Sequence, residues 1–219
     1  MKPTIIGIGF KARQGKMKVA KAIHCAIPER SYICSFADAL KAHCRVNKGM
    51  TKKDSALLQQ EGERMRLEVN PAIWFNVLGH HVEEFAPDYG ADFILIQDLR
   101  YPNEFEWVKQ SGGLTINVVR MNEDGSRYVD PDRPADHSSE IALDSFTGWD
   151  ATIIEKSGNL VGLAQKAIAT FVALTGQTAT TMDGESVLRD KAREVVLESK
   201  RGYGLDFTLR LRDLAEVLS

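Results

Sequence analysis

Apolar positions divide the first 175 residues into short solid runs separated by longer stretches with helical spacing. Ile5, Ile6 and Ile8 form the first run and read as a buried strand, and Val19, Ala20, Ala22 and Ile23 follow at helical intervals. Ser31–Phe36 reads as a second short strand. Asp54 is placed to cap a helix through Leu57, Leu58, Glu61, Met65 and Val69. Pro71 starts another helix, with Ile73, Trp74, Val77, Leu78, Val82 and Phe85 as its stripe. Asp92-Phe-Ile-Leu-Ile-Gln-Asp98 gives the clearest strand, four consecutive apolar residues between acids. Asn103 is the expected cap of the helix after it, and Gly112-Gly113 its end. Leu114–Val119 and Ala151–Glu155 are the last two strands. The closing helix buries Leu160, Leu163, Ala164, Ala167, Ile168, Phe171 and Val172.

Five strands alternating with helices predict an α/β fold, a parallel sheet with helices on both faces. There are no internal repeats. Residues 121–138, rich in Asp and Pro, read as a mobile loop, and His137-Ser-Ser-Glu140 opens a short helix. From about Thr175 the composition changes. A linker leads to two charged amphipathic helices, Val187–Ser199 and Asp206–Leu218, suited to packing on the core, to dimerisation or to a partner.

Bulk composition narrows the class only a little. The 219 residues are 43% hydrophobic and 26% charged, ordinary values for a globular chain. No apolar stretch approaches the length of a membrane span, and the N-terminal run is too short and glycine-rich for a signal peptide. Cys25, Cys34 and Cys44 lack metal-type spacing and read as reduced cytosolic thiols packed in or near the core. Charge is more informative. Net charge is −2, yet residues 1–53 hold twelve Lys/Arg against Glu29 and Asp38. That excess suits a polyanionic ligand: a nucleotide or a nucleic-acid strand.

Chemistry concentrates at the first strand-to-helix junction. A buried strand, a loop with Gly7, Gly9 and Gly15, then Lys16 and a helix is the order of a phosphate-binding P-loop. In such a loop backbone N–H groups and the helix dipole face the phosphates, and the lysine neutralises their charge. Against the pattern G-x-x-x-x-G-K-[ST], Phe10 stands at the first glycine, Met17 at the hydroxyl, and Lys18 follows. Asp98, ending a buried strand, is suited to Mg²⁺ or its water, and Asp38 and Lys41 lie at a second strand-to-helix junction.

With those residues in view, the chain resembles the phage-type deoxynucleoside monophosphate kinases, a branch of the P-loop kinases. The resemblance covers roughly residues 4–175. It rests on Lys11-Ala-Arg-Gln-Gly-Lys16, Phe36-Ala-Asp-Ala-Leu-Lys41, Leu58-Gln-Gln-Glu-Gly62 with Arg66, and Ile73-Trp74. It continues through Asp98-Leu-Arg-Tyr-Pro-Asn-Glu104 and His137-Ser-Ser-Glu140. The Asp98–Glu104 element is the most specific.

The resemblance implies a three-layer P-loop kinase domain over residues 1–175 with a lid at about 121–140, and the change of composition sets residues 176–219 apart as a linker and helical appendage. It implies transfer of the ATP γ-phosphoryl group to a deoxynucleoside monophosphate, with Mg²⁺. Lys11, Ala12, Arg13, Gln14, Gly15, Lys16, Met17, Lys18 and Arg120 would hold ATP. Lys16, Asp98 and Arg100 would be catalytic, with Asp98 also serving the metal. Asp38, Lys41, Arg66, Trp74, Arg100 and Glu104 would hold the acceptor, and Arg133, His137 and Glu140 would arrive with the lid. Host-cell cytoplasm is the implied location, and a homodimer is an open alternative to a monomer. Two other readings stand beside this one: a kinase acting on a hydroxymethyluracil base within phage DNA, and a non-catalytic nucleotide-binding protein.

Overall fold

The computed structural model describes residues 2–85, 90–132 and 134–177. Arg133 and the two expected tail helices lie outside those residues. In chain order the elements are β1 (Thr4–Gly9), α1 (Lys16–Ala26), β2 (Ser31–Cys34), α2 (Phe36–Asn47), α3 (Ser55–Glu68) and α4 (Ile73–Phe85). They continue with β3 (Phe93–Leu99), α5 (Pro102–Gln110), β4 (Leu114–Met121), the single-turn α6 (Ser138–Ile141), β5 (Ala151–Lys156) and α7 (Leu160–Thr175). The chain divides into two compact units, one holding the chain up to Ile33 and its continuation after Phe85, the other Cys34–Phe85.

The first unit is built on a five-stranded parallel sheet in the order β2-β3-β1-β4-β5. Its central strand β1 has no exposed residue, which explains the solid apolar run at Ile5–Ile8. On one face, Ile6, Ile8, Leu95, Ile116, Val118 and Ile153 pack against Val19, Ala20 and Ile23 of α1 and Leu163, Ala167 and Phe171 of α7. On the other face, Val108 of α5 closes over Gly7 and Gly113. A β-carbon at Gly113 would stand 2.6 Å from the Ile5 carbonyl oxygen, so only glycine lets β4 start there.

This winding decides where a ligand can bind. From β1 the chain crosses by α1 toward β2; from β3 it crosses by α5 to β4, on the far side of β1. The carboxyl ends of β1 and β3 therefore flank a topological switch point, where open α/β sheets hold their ligands. Register makes the juxtaposition specific: Gly9 pairs with Leu99 and with Asn117. The segments beginning at Phe10 and Arg100 leave the sheet side by side.

The second unit is a helical hairpin array, α2, α3 and α4. Ser35 caps α2 through the Ala37 amide, and Asp54 caps α3 through the Leu57 amide at 3.0 Å. A buried carboxylate organises it. Glu61, 4% exposed, accepts from Arg64 Nη2 at 2.6 Å and meets His43 Nε2 at 2.9 Å.

Candidate functional site

Lys16 opens α1 immediately after Gly15, whose φ of 106° lies in the left-handed region. The lysine is buried, and its ammonium donates to the Phe10 carbonyl at 3.1 Å and to the Lys11 carbonyl. The side chain thus folds back over the loop and ties its first residues to the helix start. A cation is thereby held at the N-terminal turn of a helix, a place whose dipole favours negative charge.

Aromatic packing supports the loop from below. Phe10 is buried and stacks on Trp149, with ring centroids 6.2 Å apart, and Trp149 meets Phe105 edge-on at 5.0 Å. Phe10, standing where the sequence pattern has a glycine, is a core residue under the loop. The loop is also fixed at its crown. Gln14 donates to the Tyr128 carbonyl at 2.8 Å and accepts from the Arg120 amide at 2.8 Å.

The residues at the end of β3 meet the loop through Glu140. Its Oε2 accepts from the Ala12 amide at 2.9 Å, and its Oε1 accepts from Arg100 Nη1 at 2.9 Å. Arg100 is itself positioned by Glu104, which accepts from the Arg100 and Tyr101 amides at 2.9 and 3.1 Å. Glu104 is buried in that turn. Asn103 is not the cap that the pattern predicts: α5 starts earlier, with Pro102 at its first position, and Glu104 satisfies the amides before it.

The segment after β4 brings further charges to the loop. Arg13 pairs with Asp132 at 2.8 Å and Asp130 at 3.3 Å, and Lys11 pairs with Asp144 at 2.7 Å. His137 caps α6 through the Ser139 amide. The Arg120 guanidinium lies 3.9 Å over the Tyr128 ring and donates to Ser157. Of the expected site residues in this unit, Lys11 to Lys16, Arg100, Glu104, Arg120 and Glu140 are joined by these contacts. Asp98 sits half-buried one residue before the partner of Gly9.

Arg127 was not singled out by sequence. Its guanidinium lies 5.4 Å over the Phe10 ring, and its Nε and Nη2 are buried with no hydrogen-bond partner. Burial pushes this guanidinium below its usual range, against the pull of Asp144 and Glu140. Nothing in the sequence separates Arg127 from other loop arginines. Only the bridge between Met121 and Arg127, which folds the chain back along β4, brings it under the loop.

Asp38, Lys41, Arg66 and Trp74 belong to the helical unit. Lys41 pairs with Asp38 at 2.6 Å. Trp74 is 4% exposed and donates to the Gly62 carbonyl at 3.3 Å, so it serves the packing of α4 on α3. Arg66 donates to the same carbonyl at 3.5 Å.

For magnesium, this chain offers little of its own. Met17 is 52% exposed and has no oxygen, while Lys18 is half-buried with its ammonium pushed below the usual range by burial and by Lys21. Among the described residues no group of three His, Cys, Asp or Glu could hold a metal ion. Asp98, half-buried at the end of β3, is the carboxylate that the sequence reading assigns to magnesium.

Among the described residues, no helix is long and apolar enough to cross a membrane. The site lies in a three-layer α/β unit, at the carboxyl edge of its parallel sheet. A scan against protein-family models finds no match, and a search of the curated proteins finds none either.

Proposed function

We propose that this chain is a phosphotransferase, moving the γ-phosphoryl group of ATP to a deoxynucleoside monophosphate. The observation that carries the reading is the buried Lys16 ammonium. It stands at the start of α1, behind a left-handed glycine, folded over the loop carbonyls. A cation, a helix N-terminus and a loop at the sheet's switch point are what a triphosphate needs. Arg100 enters from the adjacent strand, and a guanidinium can bridge the oxygens of two phosphates in line. Lys16 and the loop amides would hold the donor, and Arg100 would spread over the transferring group. Magnesium would come with the nucleotide, with Asp98 contributing one oxygen or a bound water, and would neutralise charge on the phosphates.

The basic N-terminal third favours free nucleotide over a DNA strand, because much of its charge is used inside the protein. Lys11, Arg13, Arg30, Lys41 and Lys48 each pair with a carboxylate, and Lys16 with carbonyls. Duplex DNA containing hydroxymethyluracil is accordingly the secondary substrate candidate. Steep loss of DNA binding between low and moderate salt would favour it. The test is transfer of labelled γ-phosphate in Mg²⁺-ATP to a panel of deoxynucleoside monophosphates beside that DNA.

A further inference from the structure

The carboxylate of Glu140 occupies a position with the chemistry of an oxyanion site. One oxygen takes the Ala12 amide of the loop and the other takes the Arg100 guanidinium, each at 2.9 Å. The residue is only 7% exposed. Arg127, held 5.4 Å over the Phe10 ring at the foot of the same loop, keeps two buried nitrogens that find no acceptor, and it feels the charge of Asp144 and Glu140. A single carboxylate offers two oxygens to this cluster, whereas a phosphate offers three or four and carries more charge. The cationic groups are therefore under-supplied with acceptors while Glu140 is in place.

We infer that the Ala12 amide and Arg100, with Arg127 at the foot of the loop, form the phosphoryl-binding part of the site proposed above, and that Glu140 is its built-in occupant. Phosphate and Glu140 compete for it. Glu140 keeps the Ala12 amide and the Arg100 guanidinium paired when no ligand is bound, and entry of a phosphoryl group displaces α6. Neighbouring pairs release with it, since Asp144, in the turn that follows α6, holds Lys11. A site reached only by displacing a carboxylate rejects weak or singly charged anions, which cannot repay the lost pair. The inference rests on the phosphate-binding part of the proposed function and not on phosphoryl transfer.

The test is calorimetric binding of inorganic pyrophosphate to the full chain and to two variants. Glu140→Gln removes the occupant's charge; Asp124→Asn removes the same charge from an exposed turn of the same segment. Competition predicts that Glu140→Gln binds roughly tenfold tighter than the parent while Asp124→Asn stays within about twofold of it. Equal or weaker binding by Glu140→Gln, with ATP still bound, overturns the inference and leaves the kinase reading standing. If neither pyrophosphate nor ATP binds to any of the three, both fail. Should Glu140→Gln not fold, hydrogen exchange on the parent chain decides. Pyrophosphate should speed exchange of the α6 amides, and slower or unchanged exchange there overturns the competition.

Discussion

The Ala12 amide donates to the Glu140 carboxylate across 128 residues of sequence, joining the loop that opens α1 to the turn of helix after β4. Arg100 holds the other oxygen of that carboxylate. Two arms from adjacent parallel strands thus meet on one acidic side chain at the switch point of the sheet. This contact ties the loop after β1, the segment after β3 and the turn of α6 together, which a bare strand-to-helix turn would not do.

Arg100 is tested by a change that keeps its charge. Arg100→Lys removes the planar fork, so one oxygen of a bridged pair loses its donor. Turnover should fall by about 10²-fold, with little change in the ATP affinity measured by calorimetry. A variant with parent-like turnover would show that Arg100 serves only to pair Glu140.

Gly9 tests the floor of the loop. A β-carbon there would lie 2.3 Å from Trp149 Cη2 and 3.1 Å from the Leu99 carbonyl oxygen. Gly9→Ala must push Trp149 off its stack with Phe10, at a cost of about 1–3 kcal/mol in urea unfolding. A red-shifted tryptophan emission should accompany the loss. Parent-like stability and emission would mean that the Trp149 ring has room to move.

Glu61 gives the helical unit a pH signature. The Arg64 hydrogen bond, helped by His43 and Lys48, holds its carboxyl at about 2, below the ordinary 4.5, although burial opposes the shift. The group binds a proton more weakly folded than unfolded, so its stabilisation is complete above about pH 4.5 and disappears as pH falls toward 2. Melting temperature should drop through that window in the parent and drop less steeply in Glu61→Gln. Equal slopes in the two proteins would place the acid sensitivity elsewhere.

The layered α/β fold was legible in the sequence because the central strands β1 and β3 carry solid apolar runs, and helices such as α1 and α7 show a stripe of period 3.6. The start of α1 at Lys16 was legible too, since a glycine stands between the apolar run of β1 and the helical spacing that follows. What lay outside the pattern were long-range arrangements. Phe10 looks like a defect in a glycine motif until Trp149, far along the chain, is seen beneath it. Arg127 acquires its position from the fold-back along β4. Trp74 could have faced a base or the core, and only its hydrogen bond to Gly62 assigns it to packing. Helix starts moved for a similar reason: Glu104, buried against the turn at 100–101, took the capping work that the sequence assigned to Asn103.

The central claim is phosphoryl transfer at the Lys16 loop, and a Mg²⁺-ATP transfer assay over a panel of deoxynucleoside monophosphates tests it most directly, with Lys16→Ala beside the parent. The account predicts label on at least one monophosphate, reduced about 10²–10³-fold in Lys16→Ala. Absence of label on every monophosphate from folded, ATP-binding protein, or equal transfer by Lys16→Ala, would contradict it.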